Sequence, residues 1–310
     1  MIEVGLVFTR FLHYSASLIL FGLALFPLYT YPRHKFEGIR GRNRMLATSW
    51  ALSLAILISG AFWFVSVATS MTDNAINWET AGFVLTETTY GTVCLVRLGI
   101  IAALVCVLAL LTICPAHRLD LLFAILSGVL IVTLAGTGHT QVEDWPARLG
   151  HMISDALHLL GAGAWLGGLV FLLYLTAASL RSSSPDNNRL EACIAAFRFS
   201  RVGYLAVATI VGSGLVNSWF LVSPLTNLTE TNYGRLLLIK VALFALMVGL
   251  AGVNRFFIVP ALVNPIVATY SAISLRRLRR HIQLEQGLAL AIILIVAFLG
   301  TMEPAISSVQ

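Results

Sequence analysis

"LGHMISDALHLLGAGAWLGGLVFLLYLTAAS", residues 149–179, decides the fold. The run exceeds the roughly 20 apolar residues that cross a hydrocarbon core about 30 Å thick. It predicts a membrane-spanning helix with some tilt, or with a first turn in water. Yet its first half carries His151, Asp155 and His158. On a helix these are i, i+4 and i+7, so they fall within about 60° of arc on one face. Such a face has to be buried in protein, exposed to water, or bound to something.

The whole chain resembles this stretch. Of its 310 residues 58% are hydrophobic and only 11% charged, with a mean hydropathy of +0.87. Soluble domains carry about 25% charged residues. Further runs long enough to span lie at about 5–30, 46–70, 91–113, 120–138, 199–222, 235–258 and 285–303, which makes eight spans in all. The expected fold is all-α, a polytopic membrane protein of eight transmembrane helices. The N-terminus has Glu3 where a signal peptide would be positive, and reads as a retained first helix. Cys94, Cys106, Cys114 and Cys193 show no CxxC spacing and read as small hydrophobes, neither a disulfide framework nor a zinc ribbon.

The net charge of +6 does not point to nucleic acid, because of where it sits. Arg33, Lys35, Arg40, Arg42, Arg44, Arg118, Arg181, Arg189, Arg198, Arg201, Arg255, Arg276, Arg277, Arg279 and Arg280 all fall on one side of the eight-span scheme. That side is read as cytoplasmic. Both termini are then periplasmic, and the chain is expected in a bacterial inner membrane, crossing it many times. The basic segments face anionic lipid headgroups. Segments 181–191 and 255–284 read as cytoplasmic connections, the first of them linker-like. The opposite loops lean acidic, with Asp73, Glu79, Glu87, Glu143, Asp144 and Glu230, and would draw in cations.

The halves echo each other. "RFLHYSASLILFGL" in the first span matches "DALHLLGAGAWLGG" in the fifth, setting His13 against His158, Arg10 against Asp155 and Gly22 against Gly167. "SGAFWF" in the second matches "SGLVNSWF" in the sixth. "YGTVCLVR" in the third matches "YGRLLLIK" in the seventh, setting Arg97 against Lys240. "AGTGH" in the fourth matches "LGTME" in the eighth, setting His139 against Glu303. The expectation is two parallel four-helix repeats, residues 1–145 and 146–310, in one integral-membrane unit. A site is expected at their interface.

Charged groups inside a bilayer are functional candidates by default. Arg10, Arg97, Lys240, Asp155, His13 and His158 are all expected in the outer halves of their helices, with the inner half nearly free of charge. Arg10 and Asp155 are expected to pair across the interface. At the outer ends, residues 139–150 bring His139, Glu143 and Asp144 near His151 and Met152, and Met71, Met302 and Glu303 end neighbouring helices. Imidazole, thioether and carboxylate together suit copper, and imidazole with thioether suits Cu(I). Asp155 could orient one imidazole through its second ring N–H. Binding would weaken below about pH 6 as imidazole protonates. The candidate metal ligands are His139, His151, His158, His13, Met152, Asp155, Met302 and Glu303, between the first, fourth, fifth and eighth spans. The cofactor is a copper ion, Cu(I) or Cu(II).

The block "GH" at 138–139, "H…DALH" at 151–158 and "AWLGGL" at 164–169 resembles the CopD/PcoD copper-resistance membrane proteins. That resemblance implies an inner-membrane protein of copper homeostasis that works with a periplasmic copper-binding protein of the CopC type and moves copper inward. The positions it implicates are His139, His151, Asp155 and His158. No GxxxxGK[ST] motif occurs, so transport would be passive or coupled, and no enzyme activity is expected. Two other readings share the residues: a b-type cytochrome with His13 and His158 as axial ligands, and a non-transporting dock or sensor for a periplasmic copper chaperone. Metal analysis of the purified protein separates them. Copper without haem is expected, and lost in a variant with His139, His151 and His158 all changed to Ala.

Overall fold

A computed structural model of the chain describes residues 2–31, 41–72, 78–137, 147–181, 185–222, 224–264, 269–270 and 272–306. Eight helices in it are long and apolar enough to cross a membrane. They are α1 (Ile2–Thr30), α2 (Arg42–Thr72), α4 (Thr89–Ile113), α5 (His117–Val132), α6 (Ala147–Arg181), α7 (Pro185–Val222), α9 (Asn232–Val253) and α10 (Ala272–Leu299). Two short helices, α3 (Trp78–Glu87) and α8 (Asn227–Glu230), precede α4 and α9. The strands among the described residues are a two-residue antiparallel pair, β1 (Val263–Asn264) and β2 (Thr269–Tyr270). The chain is an all-α, multi-pass membrane protein.

Two helix starts differ from the reading by charge. Residues 272–284 are the opening turns of α10, and α7 begins at Pro185 inside the expected linker. Arg276, Arg277, Arg279 and Arg280 mark a side of the membrane but do not stop a helix. Leu275, Leu278 and Ile282 recur at helical spacing on the same turns, and all three are buried.

The bundle is organised around α1 and α6, its two most buried helices. They cross at Gly22 and Gly167. A Cβ on Gly22 would lie 2.6 Å from the Gly167 Cα, and one on Gly167 would lie 2.5 Å from the Gly22 Cα. Backbone meets backbone there, and no side chain fits between. Beside the crossing, Phe26 stacks on Phe171 with ring centroids 4.6 Å apart, and Tyr29 and Phe199 close the cluster. α1 also packs on α2, α5 and α10, and α6 on α7 and α10. Outward-facing apolar residues such as Phe62, Leu205, Trp219 and Leu246 are exposed. That is the expected state of a surface whose solvent is hydrocarbon.

The end of the bundle that carries the basic segments is tied by polar contacts. Arg42 at the start of α2 and Asp120 at the start of α5 form a buried ion pair at 3.2 Å. Arg198 donates to the Thr30 carbonyl, and the Tyr31 hydroxyl donates to Glu191 at 2.7 Å. The expected charge-free inner half is therefore corrected. Charges are present there, and the buried Arg42 and Asp120 pair with each other, because either one alone would cost several kcal/mol.

The α1–α6 crossing yields a stability prediction. Gly167→Val drives a side chain into backbone that cannot yield, so the helices must separate. A loss of about 1–3 kcal/mol or more is expected, read as a lower Tm in detergent. Gly249→Ala, where a Cβ meets nothing within 4 Å, leaves Tm unchanged or raises it.

Candidate metal site

The polar face of α6 does not look into the bundle centre. It looks at α7. His151 is buried and its ring stacks on Phe220, centroids 4.7 Å apart and planes 8° off parallel. Asp155 accepts from Asn217 Nδ2 at 3.3 Å. His158 Nδ1 meets Ser213 Oγ at 3.0 Å, and Ser154 Oγ donates to the Ser213 carbonyl at 3.0 Å. Residues 213, 217 and 220 are themselves i, i+4 and i+7, so two antiparallel helices present matched stripes.

The serine fixes the tautomer of His158. Ser213 Oγ donates its proton to the Thr209 carbonyl at 2.5 Å, so toward the imidazole it accepts. The ring proton is therefore on Nδ1, and Nε2 carries a lone pair. No described residue bonds that nitrogen. Gly214 faces the ring, where a Cβ would stand at ordinary contact distance, 3.5 Å from His158 Cε1. His158 lines a cavity of about 240 Å³. Its walls come from α6, α7, α9 and α10, with Leu18 of α1, and include Trp165, Ser218, Lys240 and Met247. The chamber thus draws on the fifth to eighth spans and the first, and not on the fourth. Lys240 and His151 are both within electrostatic reach of Asp155.

The first half repeats the geometry and closes it. His13 Nδ1 meets Ser59 Oγ at 2.9 Å, Ser59 donates to the Ala55 carbonyl at 2.6 Å, and Gly60 faces the ring. Here Nε2 is taken. Arg97 Nη2 lies 2.5 Å from it, and Arg97 Nη1 donates to Thr133 Oγ1 at 2.6 Å and to the Leu130 carbonyl at 3.1 Å. A guanidinium only donates, so both nitrogens of His13 are committed. The caps match as well. Thr88 accepts from Gly91 N at 2.9 Å at the start of α4, and Thr231 accepts from Gly234 N at 3.0 Å at the start of α9.

Helix geometry explains why the two histidines do not meet. Each lies nine residues before the glycine of the α1–α6 crossing. Nine residues are about 900° of rotation, so each ring points roughly 180° away from the seam. His13 faces α2 and α4, and His158 faces α7 and α9. They line separate cavities. The residue pair on which a haem reading would rest is not brought together.

The expected pair of Arg10 and Asp155 does not form. Arg10 donates to the Gly300 carbonyl and lies over the Trp63 ring, 5.3 Å from its centroid, while Asp155 bonds Asn217. Met302 packs on an apolar cluster with Tyr233 and Leu299, Glu303 is exposed, and Met152 is half-buried. His139, Glu143 and Asp144 lie outside the described residues, as does the Met71 side chain. Among the described residues no three His, Cys, Asp or Glu side chains cluster as a metal cage.

Sequence reading missed Ser59, Ser213 and Asn217 as partners, although "SGAFWF" and "SGLVNSWF" held the signal. The serine takes the imidazole N–H and the following glycine faces the ring. It also missed Glu285, buried on α10 and bonded by Trp165 Nε1 at 3.2 Å and Asn254 Nδ2 at 2.6 Å.

Residues 1–149 match the family described as copper resistance protein D-like, N-terminal domain, and residues 194–299 match copper resistance protein D. The chain is 34% identical to copper resistance protein D of Pseudomonas syringae pv. tomato, over 95% of both chains. It is 27% identical to inner membrane protein YebZ of Escherichia coli, over 95% of this chain and 97% of that one. It is also 28% identical to copper transport protein CutJ of Bacillus subtilis, over 81% of this chain and 46% of that one. No solved structure matches the chain. With eight apolar helices and this coverage, the chain belongs to the copper resistance protein D family, as a multi-pass protein of the inner membrane.

Proposed function

We propose that the chain is a copper-binding membrane protein, not an enzyme, that takes copper in near His158 and passes it toward the basic end. One observation carries this reading. His158 has Nδ1–H fixed by Ser213 and Nε2 free at a chamber wall, the arrangement of a metal-ligating imidazole. Relatives named for copper resistance and copper transport supply the metal.

His151 and Asp155 lead to His158 along one face of α6, about 10 Å by helical rise, with Met152 about 60° round the helix from Asp155. His139, Met302 and Glu303 belong to the mouth in this scheme. His13 does not ligate, and instead holds the first half together with Arg97. Met247 lines the same chamber, and its thioether, like the His158 imidazole, is a ligand type suited to Cu(I). The basic segments are cytoplasmic and both termini periplasmic, by the distribution of Lys and Arg. The matching contacts around His13 and His158 support two four-helix repeats, 1–145 and 146–310. A periplasmic CopC-type protein would deliver copper at the acidic outer face.

Two measurements test this. In proteoliposomes, wild type accumulates copper and His158→Ala does so at least about tenfold more slowly. Equal accumulation overturns the site. Wild type that binds copper but accumulates none leaves the dock or sensor reading. Second, Ser213→Ala frees the imidazole, so copper affinity by chelator competition falls about 10- to 100-fold. Ser59→Ala leaves it within about twofold, since His13 has no free nitrogen to offer.

A further inference from the structure

A second chamber lies deeper in the second half. It has a volume of about 220 Å³ and is walled by α6, α7, α9 with its π-helical extension at Asn254–Ile258, and α10. Trp165 lines both this chamber and that of His158. It stands seven residues beyond His158 on α6, about 10 Å further along. Its indole is a shared wall, anchored by the bond from Nε1 to Glu285.

Glu285 is 1% exposed. Its carboxyl meets only neutral donors, Trp165 at Oε2 and Asn254 at Oε1. No ion pair reaches it among the described residues. The other ionisable side chains lining the chamber are Arg255 and Tyr204 on the neighbouring elements. Arg255 is turned to Tyr204, bonding its hydroxyl at 3.4 Å and lying over the Phe197 and Tyr204 rings. A carboxylate held this way in a membrane bundle carries an uncompensated charge.

Asn254 shows how the charge can be removed. It is itself more than nine-tenths buried, and its Oδ1 has no hydrogen-bond partner. A carboxylic acid and a primary amide pair through two bonds, N–H to the carbonyl oxygen and O–H to the amide oxygen. The first is in place at 2.6 Å. The acceptor of the second is the idle Oδ1. The pair is short of one proton. Asn254 opens a π-helical turn, a distortion that often marks a functional site.

We propose that Glu285 is a proton-binding site of this protein, and that copper passage beyond Trp165 is coupled to its protonation. The carboxylate takes one proton from water on the basic side and becomes a neutral acid whose O–H bonds Asn254 Oδ1. Release returns the proton and restores the charge. Oxygen and amide donors are poor Cu(I) ligands, which makes the proton, not the metal, the occupant. The coupling rests on the copper-transport reading above, whereas the proton site does not.

Infrared difference spectra of the purified full chain at acid and alkaline pH test the site directly. A titrating carboxylic C=O band is expected in wild type and in Asp155→Asn, and it disappears in Glu285→Gln. No such band in wild type, or its survival in Glu285→Gln, overturns the proposal. In proteoliposomes an imposed pH gradient changes wild-type copper uptake several-fold. Glu285→Gln, with copper binding retained by chelator competition, shows no response to the gradient. An equal response in both refutes the coupling. Wild type with no uptake at all refutes the transport reading and leaves the infrared result to judge Glu285 alone.

Discussion

The structure depends on two glycines that leave nothing between two helices. At Gly22 and Gly167 the backbones of α1 and α6 approach to within the reach of a single methyl group. In a bilayer there is little hydrophobic force between helices, so close backbone packing supplies the attraction. The crossing also sets directions. Once the glycine faces are turned inward, helical periodicity sends His13 and His158 outward, into opposite halves. Each half then has to satisfy its own imidazole, because hydrocarbon offers no partner. Ser59 and Ser213 do so in the same way. Their hydroxyls accept from the ring while donating to a carbonyl in their own helix.

From that shared beginning the halves diverge at one position. Arg97 has a forked head and five donors, enough to reach His13, Thr133 and Leu130 together. It seals its imidazole. In the other half Lys240 takes the corresponding place in the sequence, with a point charge and no fork. The His158 ring keeps a free nitrogen at a chamber wall. One half reads as scaffold and the other as chemistry, although both carry the same histidine, serine and glycine.

Much of this was legible before any coordinates. Run lengths predicted eight spans, since a bilayer sets the length of what crosses it. Internal matches singled out His13 with His158, Gly22 with Gly167 and the two Ser–Gly pairs. What one sequence does not encode is azimuth between helices. The face carrying 151, 155 and 158 was readable, but that it meets α7 was not, nor that Arg10 turns to Gly300 and leaves Asp155 to Asn217. Glu285 escaped for a different reason. Four arginines in the turns before it made the segment read as a loop, while Leu275, Leu278 and Ile282 showed a continuous helix that would carry Glu285 into the bundle.

The two chambers differ in what they can hold, and the difference follows from desolvation. The cost of taking an ion out of water rises with the square of its charge, so a divalent ion pays about four times what a monovalent one does. The His158 chamber offers one imidazole, one thioether, the Ser218 hydroxyl and otherwise apolar walls, with Lys240 adding a positive charge that Asp155 is near enough to offset. On the proposed copper-binding reading, such a lining suits a soft, singly charged metal better than Cu(II), which would need more and harder ligands than the walls supply. The Glu285 chamber offers oxygen donors and a single negative charge, suited to a proton. Trp165 touches both, lining each chamber and bonding the carboxyl with its indole N–H. Protonating Glu285 weakens that bond, because a charged acceptor holds a donor more tightly than a neutral one. The wall between the chambers is therefore loosest when the carboxyl is neutral, which links the position of the indole to the occupancy of the deeper site.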